Sequence, residues 1–256
     1  MAPKIYTSPF PATPLYNQSV FTYLFSSASQ PNSIGGYDAL APAFIDAPTG
    51  TSISRAQLKQ LALTMGYGLR NHPSLSAKRG DTVLIYSQNS LSWPVVLFGA
   101  GKLMRPFIPL DPDDLCLYTV AAGLRCTLAN NAYNARELAF QYTDSKAKVI
   151  FSSEDGVATV RETLKSLGLS KAEADQRIVV LTNDLQWAGG PSTSRRPEHA
   201  RLLTVADLLK LGSLKEEEKF DGELANETVY LCYSSGSVYT PSFLRAEEAL
   251  FLSVPV

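Results

Sequence analysis

The sequence predicts an α/β protein with a mostly parallel sheet and helices on both faces of that sheet. Short apolar runs, typical of buried strands, recur at residues 82–86, 148–152, 177–182 and 228–233. Segments with apolar residues at helical spacing lie between these runs. This alternation of the two kinds of segment is typical of parallel strands joined by crossover helices.

The clearest helix is predicted from about Arg55 to Arg70. Ser54 is a natural N-cap, because Gln57 completes an S-x-x-Q capping box three residues later. The apolar residues of this helix recur at intervals of three and four positions and are Leu58, Leu61, Met65 and Leu69.

Further helices are predicted from their own start and stop signals. Asn134 caps one, residues 157–167 form another that Gly168 closes, and Thr204 caps a short one that ends near Leu211. A helix is also expected over residues 89–99, with Pro94 tolerated only in its first turn.

Residues 1–50 are rich in Pro, Ser, Gly and Tyr and predict an extended N-terminal arm, with a short helix over residues 17–25. The charged run at residues 215–219 is interpreted as a solvated surface. Both His72 and His199 are predicted at the surface, with no metal-ligand spacing and no catalytic role.

The composition excludes several classes of protein. Hydrophobic residues make up 45% of the 256 residues and the net charge is −1, so no basic field indicates nucleic-acid binding. No segment predicts a transmembrane helix. Three cysteines without a C-x-x-C pair indicate neither a zinc site nor a disulfide framework. A reducing compartment, either cytoplasmic or peroxisomal, is expected.

A short hydroxyl-rich segment follows the last predicted strand. Residues Ser234, Ser235, Gly236 and Ser237 come directly after Tyr233. A buried strand that opens into such a loop can bind phosphate through inward-pointing N–H groups and serine hydroxyls. The plainer interpretation, a polar turn after a strand, stays open from these four residues alone.

Several motifs in order carry a resemblance to a known family. They lie at residues 78–83 (KRGDTV), 89–90, 122–123, 134–138, 144–150 and 233–237. Together they resemble the N-terminal region of the AMP-forming acyl-CoA synthetases, and the 4-coumarate–CoA ligase-like branch in particular.

The resemblance implies the incomplete N-terminal part of the adenylate-forming ligase fold. Members of this family use ATP, Mg²⁺ and coenzyme A to convert a fatty or aryl carboxylic acid into its thioester. By resemblance, Ser234, Ser235, Gly236 and Ser237 are a partial phosphate loop, and no catalytic residue or metal ligand is assigned. The oligomeric state stays open.

The chain departs from the family pattern after Ser237. Val238 and Tyr239 replace a hydroxyl residue and a glycine, and Ser242 replaces a lysine that would neutralise phosphate charge. We therefore expect the chain, a truncated ligase, to be inactive by itself. The alternative is a non-catalytic interaction module.

Residues 101–120 are the second departure, because the family would pass almost directly from Ala100 to Ala121. Our hypothesis is a translated intron, since Gly101-Lys102 can be encoded with GTAAG, a common intron start. A genuine surface insertion is the rival. The predicted domains are an arm (1–50), a partial AMP-binding domain (51–237) and a non-family tail (238–256).

Overall fold

A computed structural model describes residues 20–26, 32–100, 121–218, 230–233 and 243–245, and the fold is reported for these ranges. The strands are β1 (Ser33–Ile34), β2 (Tyr37–Asp38), β3 (Pro42–Ile45), β4 (Ser52–Ser54), β5 (Thr82–Tyr86), β6 (Arg125–Ala129), β7 (Ala147–Ser153), β8 (Ile178–Leu181), β9 (Leu203–Thr204), β10 (Tyr230–Tyr233) and β11 (Phe243–Arg245). The α-helices are α1 (Val20–Phe25), α2 (Arg55–Asn71), α3 (Ser92–Ala100), α4 (Ala135–Asp144), α5 (Val157–Ser166), α6 (Lys171–Asp175) and α7 (Val205–Leu209).

The main sheet confirms the predicted class. Its strand order is β11-β10-β6-β5-β7-β8-β9, and the six strands from β10 to β9 run parallel. The remaining strand, β11, pairs antiparallel with β10. Two small antiparallel sheets, β1–β2 and β3–β4, precede the main sheet in the chain.

Helices cover both faces of the sheet, as predicted. Successive strand residues point to opposite faces, so Val83 and Ile85 of β5 join one core cluster and Leu84 and Tyr86 join the other. Helices α1, α2, α3 and α7 contribute to the first cluster, and α4, α5 and α6 to the second. Parallel sheets need this double cover because their strands are buried on both faces.

The predicted capping signals act as expected. Ser54 Oγ accepts from the Gln57 amide at 3.2 Å, and Gln57 Oε1 accepts from the Ser54 amide at 2.8 Å. Asn134 forms the same reciprocal pair with Glu137 at the start of α4. Each box satisfies backbone donors that a helix N-terminus otherwise leaves open.

The residues on either side of segment 101–120 meet in the core, while the segment itself lies outside the described residues. The Ala122 amide donates to the Gly99 carbonyl oxygen at 3.1 Å. The Ala121 amide donates to the Phe98 carbonyl oxygen at 3.4 Å. If the twenty residues 101–120 are left out of the count, both bonds have the i→i−3 spacing of a 3₁₀ turn. Ala100 and Ala121 are fully buried.

Two surface predictions are wrong. His199 is only 5% exposed, because the 3₁₀ turn Pro197–His199 brings its Nδ1 to 4.0 Å from the Glu154 carboxylate beyond β7. Glu218, expected in a solvated run, is half-buried and accepts hydrogen bonds from Arg70 at 2.8 Å and Arg79 at 2.9 Å. Contacts between distant parts of the chain determine both positions.

Candidate functional site

Strand β10 directly precedes the predicted phosphate loop in the sequence. It pairs parallel with β6, with Tyr230 opposite Cys126 and Leu231 opposite Thr127. The chain therefore leaves β10 at the edge where β5, β6 and β7 also end, which is where parallel α/β sheets bind ligands. Ser234, Ser235, Gly236 and Ser237 follow Tyr233 directly and lie outside the described residues.

The neighbouring strands end in neutral polar residues. Ser87, Gln88, Asn89 and Ser90 follow β5, and residues 130–131, both asparagine, follow β6. These segments contain no lysine or arginine, so they supply hydrogen bonds without positive charge.

Two serine hydroxyls near the start of α3 have unused hydrogen-bonding capacity. The Oγ atoms of Ser90 and Ser92 are buried and have no partner among the described residues. Buried hydroxyls are usually satisfied by protein or ordered water. The hydroxyls of Ser90 and Ser92 are donors of the kind that phosphate oxygens accept, and Ser234, Ser235 and Ser237, which lie outside the described residues, carry the same group in the sequence.

The last residue of β10 is fixed by helix α4. The Tyr233 hydroxyl donates to Asp144 Oδ2 at 2.8 Å, and its ring packs edge-on against Phe140 with centroids 6.5 Å apart. Burial and this bond to Asp144 raise the pKa of Tyr233 well above its ordinary value. The phenol is therefore a proton-bearing donor at neutral pH.

The thiols of the two described cysteines have structural surroundings. Cys126 on β6 is fully buried, and burial followed by the neighbouring Cys232 raises its pKa well above the usual range. Such a thiol is a poor nucleophile, because the reactive form is the thiolate. Cys232 is half-buried and packs against the first core cluster.

The basic pair in the loop after β8 is engaged by acidic residues. Arg195 binds Asp207 at 3.2 Å and also donates to two backbone carbonyls. Arg196 pairs with Asp155 and approaches Glu154. Both guanidinium groups are thus paired with carboxylates within the fold.

A groove of about 380 Å³ lies at the opposite, amino-terminal edge of the sheet. Its lining includes His72, Gln176, Arg195, Arg201 and Asp207. It therefore lies at the other end of the strands from Tyr233, the last residue of β10. Among the described residues, no group of three or more His, Cys, Asp or Glu side chains could hold a metal ion.

Comparison with known proteins agrees with this fold. Residues 38–241 match the model of the family described as AMP-binding enzyme, so the chain belongs to that family. This finding confirms the resemblance to adenylate-forming acyl-CoA ligases that the motifs indicate. A rice protein, 4-coumarate–CoA ligase-like 3 of Oryza sativa subsp. japonica, is 29% identical over 121 residues, which cover 47% of this chain and 17% of that protein.

Solved structures show the same fold. A long-chain-fatty-acid–CoA ligase from Archaeoglobus fulgidus matches 91% of this chain and 37% of its own, with a TM-score of 0.58 and 15% identity. A benzoate CoA ligase from Burkholderia xenovorans LB400 matches 76% of this chain and 30% of its own, with a TM-score of 0.52 and 17% identity. The chain therefore spans less than two-fifths of the length of these relatives.

Within the ranges described above, none of the helices combines the length and the apolar character that a membrane crossing requires.

Proposed function

We propose that this chain is the N-terminal, phosphate-loop-bearing part of an adenylate-forming acid–thiol ligase. The observation that supports this proposal is that β10, the strand directly before Ser234 in the sequence, pairs parallel with β6 in a chain of the AMP-binding family, and parallel sheets bind ligands at the carboxyl ends of their strands. The domain boundaries proposed are those given by the sequence, with an arm at 1–50 and a partial AMP-binding domain at 51–237.

The whole protein would activate a carboxylic acid in two steps. A carboxylate oxygen attacks the α-phosphorus of ATP, the bond to the β-phosphate breaks, and pyrophosphate leaves with Mg²⁺ neutralising charge. The thiol of coenzyme A then attacks the acyl carbonyl, loses its proton, and AMP departs. A fatty or aryl acid is the proposed substrate, and a cytoplasmic or peroxisomal compartment is proposed because two buried or half-buried cysteines are free thiols.

This chain alone is proposed to bind phosphate weakly and not to complete the reaction. Ser234, Ser235, Gly236 and Ser237 supply donors, but Val238 and Tyr239 hinder close backbone approach and Ser242 brings no charge. Removing a counter-charge from a phosphate site weakens transition-state stabilisation as well as binding.

Calorimetric titration with Mg-ATP tests the binding claim. We expect a dissociation constant in the millimolar range for the unaltered chain, and a weaker one after the double change Ser235→Ala and Ser237→Ala. Ser74→Ala is the matched control, because Ser74 lines the groove at the opposite edge. A titration without heat of binding, or an equal effect of the control, would overturn the proposal. Pyrophosphate release with a carboxylic acid present would overturn the inactivity.

A non-catalytic interaction module is the second candidate. Exposed apolar side chains favour it, namely Leu128 beside β10 and Phe140 on α4, which are 42% and 44% exposed. Light scattering on the purified chain separates the two ideas, since a monodisperse monomer at all concentrations contradicts an association role.

A further inference from the structure

The groove at the amino-terminal edge of the sheet is built from three separate parts of the chain. The end of α2 contributes His72, the end of α6 contributes Gln176, and the segment before β9 contributes Arg201. Its volume of about 380 Å³ lies in the range of pockets that bind small organic molecules. The apolar part of its lining consists of Ala200, Leu202 and Leu203.

Arg195 ties the walls of this groove together. Its Nη1 atom donates to the carbonyl oxygens of Ala200 and Leu202, both at 3.2 Å. Its Nη2 atom donates to Thr204 Oγ1 at 3.3 Å and to Asp207 Oδ2 at 3.2 Å. Because these bonds hold the walls in place without a ligand, little conformational entropy is lost when the groove is occupied.

The two carboxylates that line the groove are already paired with cations. Asp175 accepts hydrogen bonds from Arg161, at 2.7 Å, and from Lys171. Asp207 accepts one from Arg195. Three cations therefore face two carboxylates, which leaves one positive charge in excess.

Arg201 adds a second positive charge that no carboxylate balances. Its side chain is exposed, and its guanidinium makes no hydrogen bond or ion pair with any other residue that the structure describes. Four cations and two carboxylates then leave an excess of two positive charges at the groove. Such an excess favours a dianionic ligand over a neutral one or a monoanion.

The helix ends beside the groove are closed, so they offset this charge only in part. A helix C-terminus carries a partial negative charge on its open carbonyl groups. At the end of α2, the Gly68 carbonyl accepts from the His72 amide at 2.9 Å. At the end of α6, the Ala174 carbonyl accepts from the Arg177 amide at 2.9 Å. The full charges of the guanidinium groups therefore dominate the groove.

Neutral side chains of the groove supply further hydrogen-bond donors. His72 Nδ1 accepts from the Ser74 amide at 3.3 Å, so the neutral imidazole carries its proton on Nε2. The side-chain amide of Gln176 is exposed and makes no hydrogen bond within the described ranges of the chain. With the five N–H groups of the Arg201 guanidinium, these donors suit the several oxygen atoms of a phosphate ester.

We propose that this groove is a binding site for a phosphomonoester with a small organic body. The phosphate group binds Arg201, which supplies its main counter-charge, and accepts hydrogen bonds from Gln176 and His72. The organic body contacts the apolar lining at Ala200 and Leu203. Residues 234–237 take no part in this site, so the inference is independent of the proposed function.

Calorimetric titration of the whole chain with phenyl phosphate, in the absence of Mg²⁺, tests the site. Arg201→Gln should weaken binding about tenfold, because it removes the unbalanced charge and most of the donors. Arg136→Gln is the matched control, since Arg136 is exposed on α4 and does not line the groove. Arg201→Lys keeps the charge without the planar fork and should give an intermediate affinity. Absence of saturable binding, or equal effects of Arg201→Gln and Arg136→Gln, overturns the proposal.

Related anions test the class of ligand. At mildly alkaline pH a phosphomonoester carries two negative charges, whereas phenyl sulfate has a similar shape and one charge fewer. Phenyl sulfate should therefore bind about threefold more weakly than phenyl phosphate. Inorganic phosphate keeps the charge but lacks the organic body, and it should also bind more weakly. Equal affinity for phenyl sulfate overturns the preference for a dianion, and equal affinity for inorganic phosphate overturns the role of the apolar lining.

Displacement of bound phenyl phosphate distinguishes two natural sources of the same chemical group. Glucose 6-phosphate represents the sugar phosphates and AMP the nucleoside monophosphates. Displacement by either compound supports the site and identifies its source, and failure of both overturns the assignment to phosphomonoesters.

Nuclear magnetic resonance locates the bound ligand. The side-chain amide signals of Gln176, identified by their loss in Gln176→Leu, should shift when phenyl phosphate is added. Shifts confined to other residues overturn the proposal. If Mg-ATP does not bind the chain but phenyl phosphate shifts the Gln176 signals, the proposed function fails and the groove remains a phosphomonoester site.

Discussion

The Ala122 amide lies 3.1 Å from the Gly99 carbonyl oxygen, although residues 101–120 separate them in the chain. This bond and its neighbour between Ala121 and Phe98 extend the end of α3 as one further turn. The chain on either side therefore has the geometry of a continuous segment. This relationship supports the interpretation of residues 101–120 as an insertion, whether of intronic or of protein origin.

Deleting residues 101–120 should leave the fold intact and stabilise it. Joining Ala100 to Ala121 preserves the existing backbone bonds and removes the closure entropy of a twenty-residue loop, for a gain of about 2 kcal/mol in unfolding free energy. Urea unfolding followed by circular dichroism measures the change. Replacing the segment by a Gly/Ser segment of equal length is the control and should give no gain. A deletion variant that is less stable than the unaltered chain contradicts the prediction.

The origin of the segment can be tested at the level of the messenger. If the segment is a translated intron, mature messenger lacks codons 101–120 and passes from codon 100 to codon 121. If the messenger retains these codons, the intron hypothesis is wrong and the segment is a genuine insertion.

Glu218 should contribute more to the stability of the fold than its place in a charged surface run suggests. It bridges Arg70 and Arg79, which lie before and within the turn that leads to β5. Glu218→Ala should lower the free energy of unfolding by about 1 kcal/mol, because both bonds are charge-assisted but half-exposed. Glu162→Ala, at an exposed position of α5, is the control. A loss no larger than that of the control would show that the bridge adds nothing.

Asn134 should stabilise the helix that holds β10. Its side chain accepts from the amides of Arg136 and Glu137 at 3.0 and 3.1 Å. Asn134→Ala should reduce stability by about 1 kcal/mol in thermal or urea unfolding. Asn131→Ala, three residues earlier at an exposed position, should have little effect. Equal losses in the two variants would contradict the capping role.

Asp207 should make stability depend on acid pH. Burial opposes its ionisation, but hydrogen bonds from Thr204 and the positive charge of Arg195 outweigh burial and hold the pKa of Asp207 below its usual value. A lowered native pKa stabilises the fold above the ordinary carboxyl pKa of about 4, and this contribution disappears as pH falls through the native pKa.

Urea midpoints measured across this acid range should therefore fall less steeply for Asp207→Asn than for the unaltered chain. Glu162→Gln is the control and should keep the unaltered slope. If the Asp207→Asn slope equals that of the unaltered chain, the carboxylate of Asp207 does not contribute to the acid sensitivity.

The sequence predicts those structural features that depend on residues close together in the chain. The capping boxes at Ser54 and Asn134 can be predicted from the sequence because their donors and acceptors lie three positions apart. Strand β5 can be predicted from the sequence because both of its faces are buried, and a strand buried on both faces is mostly apolar. Strand β6 gives no such signal, since Arg125 and Thr127 interrupt its apolar residues.

The features that the sequence does not predict depend on contacts between residues far apart in the chain. The burial of Thr127 is possible because Gln141 on the following helix hydrogen-bonds its hydroxyl, and no local pattern reports that partner. The burial of His199 and the bridge at Glu218 have the same cause. For the candidate site, the sequence predicts a phosphate loop at Ser234–Ser237, whereas the hydrogen bond between Tyr233, the preceding residue, and Asp144 is seen only in the fold.

The strand order also has a consequence for biosynthesis. Thr127 and Leu231 are hydrogen-bonded although 104 positions separate them, whereas β5, β6, β7, β8 and β9 all precede residue 205. On the ribosome, these five strands can assemble while β10 is still untranslated, leaving one side of β6 without a partner. The nascent chain therefore passes through a stage with an open sheet edge, where a chaperone or a second nascent chain can bind before β10 emerges.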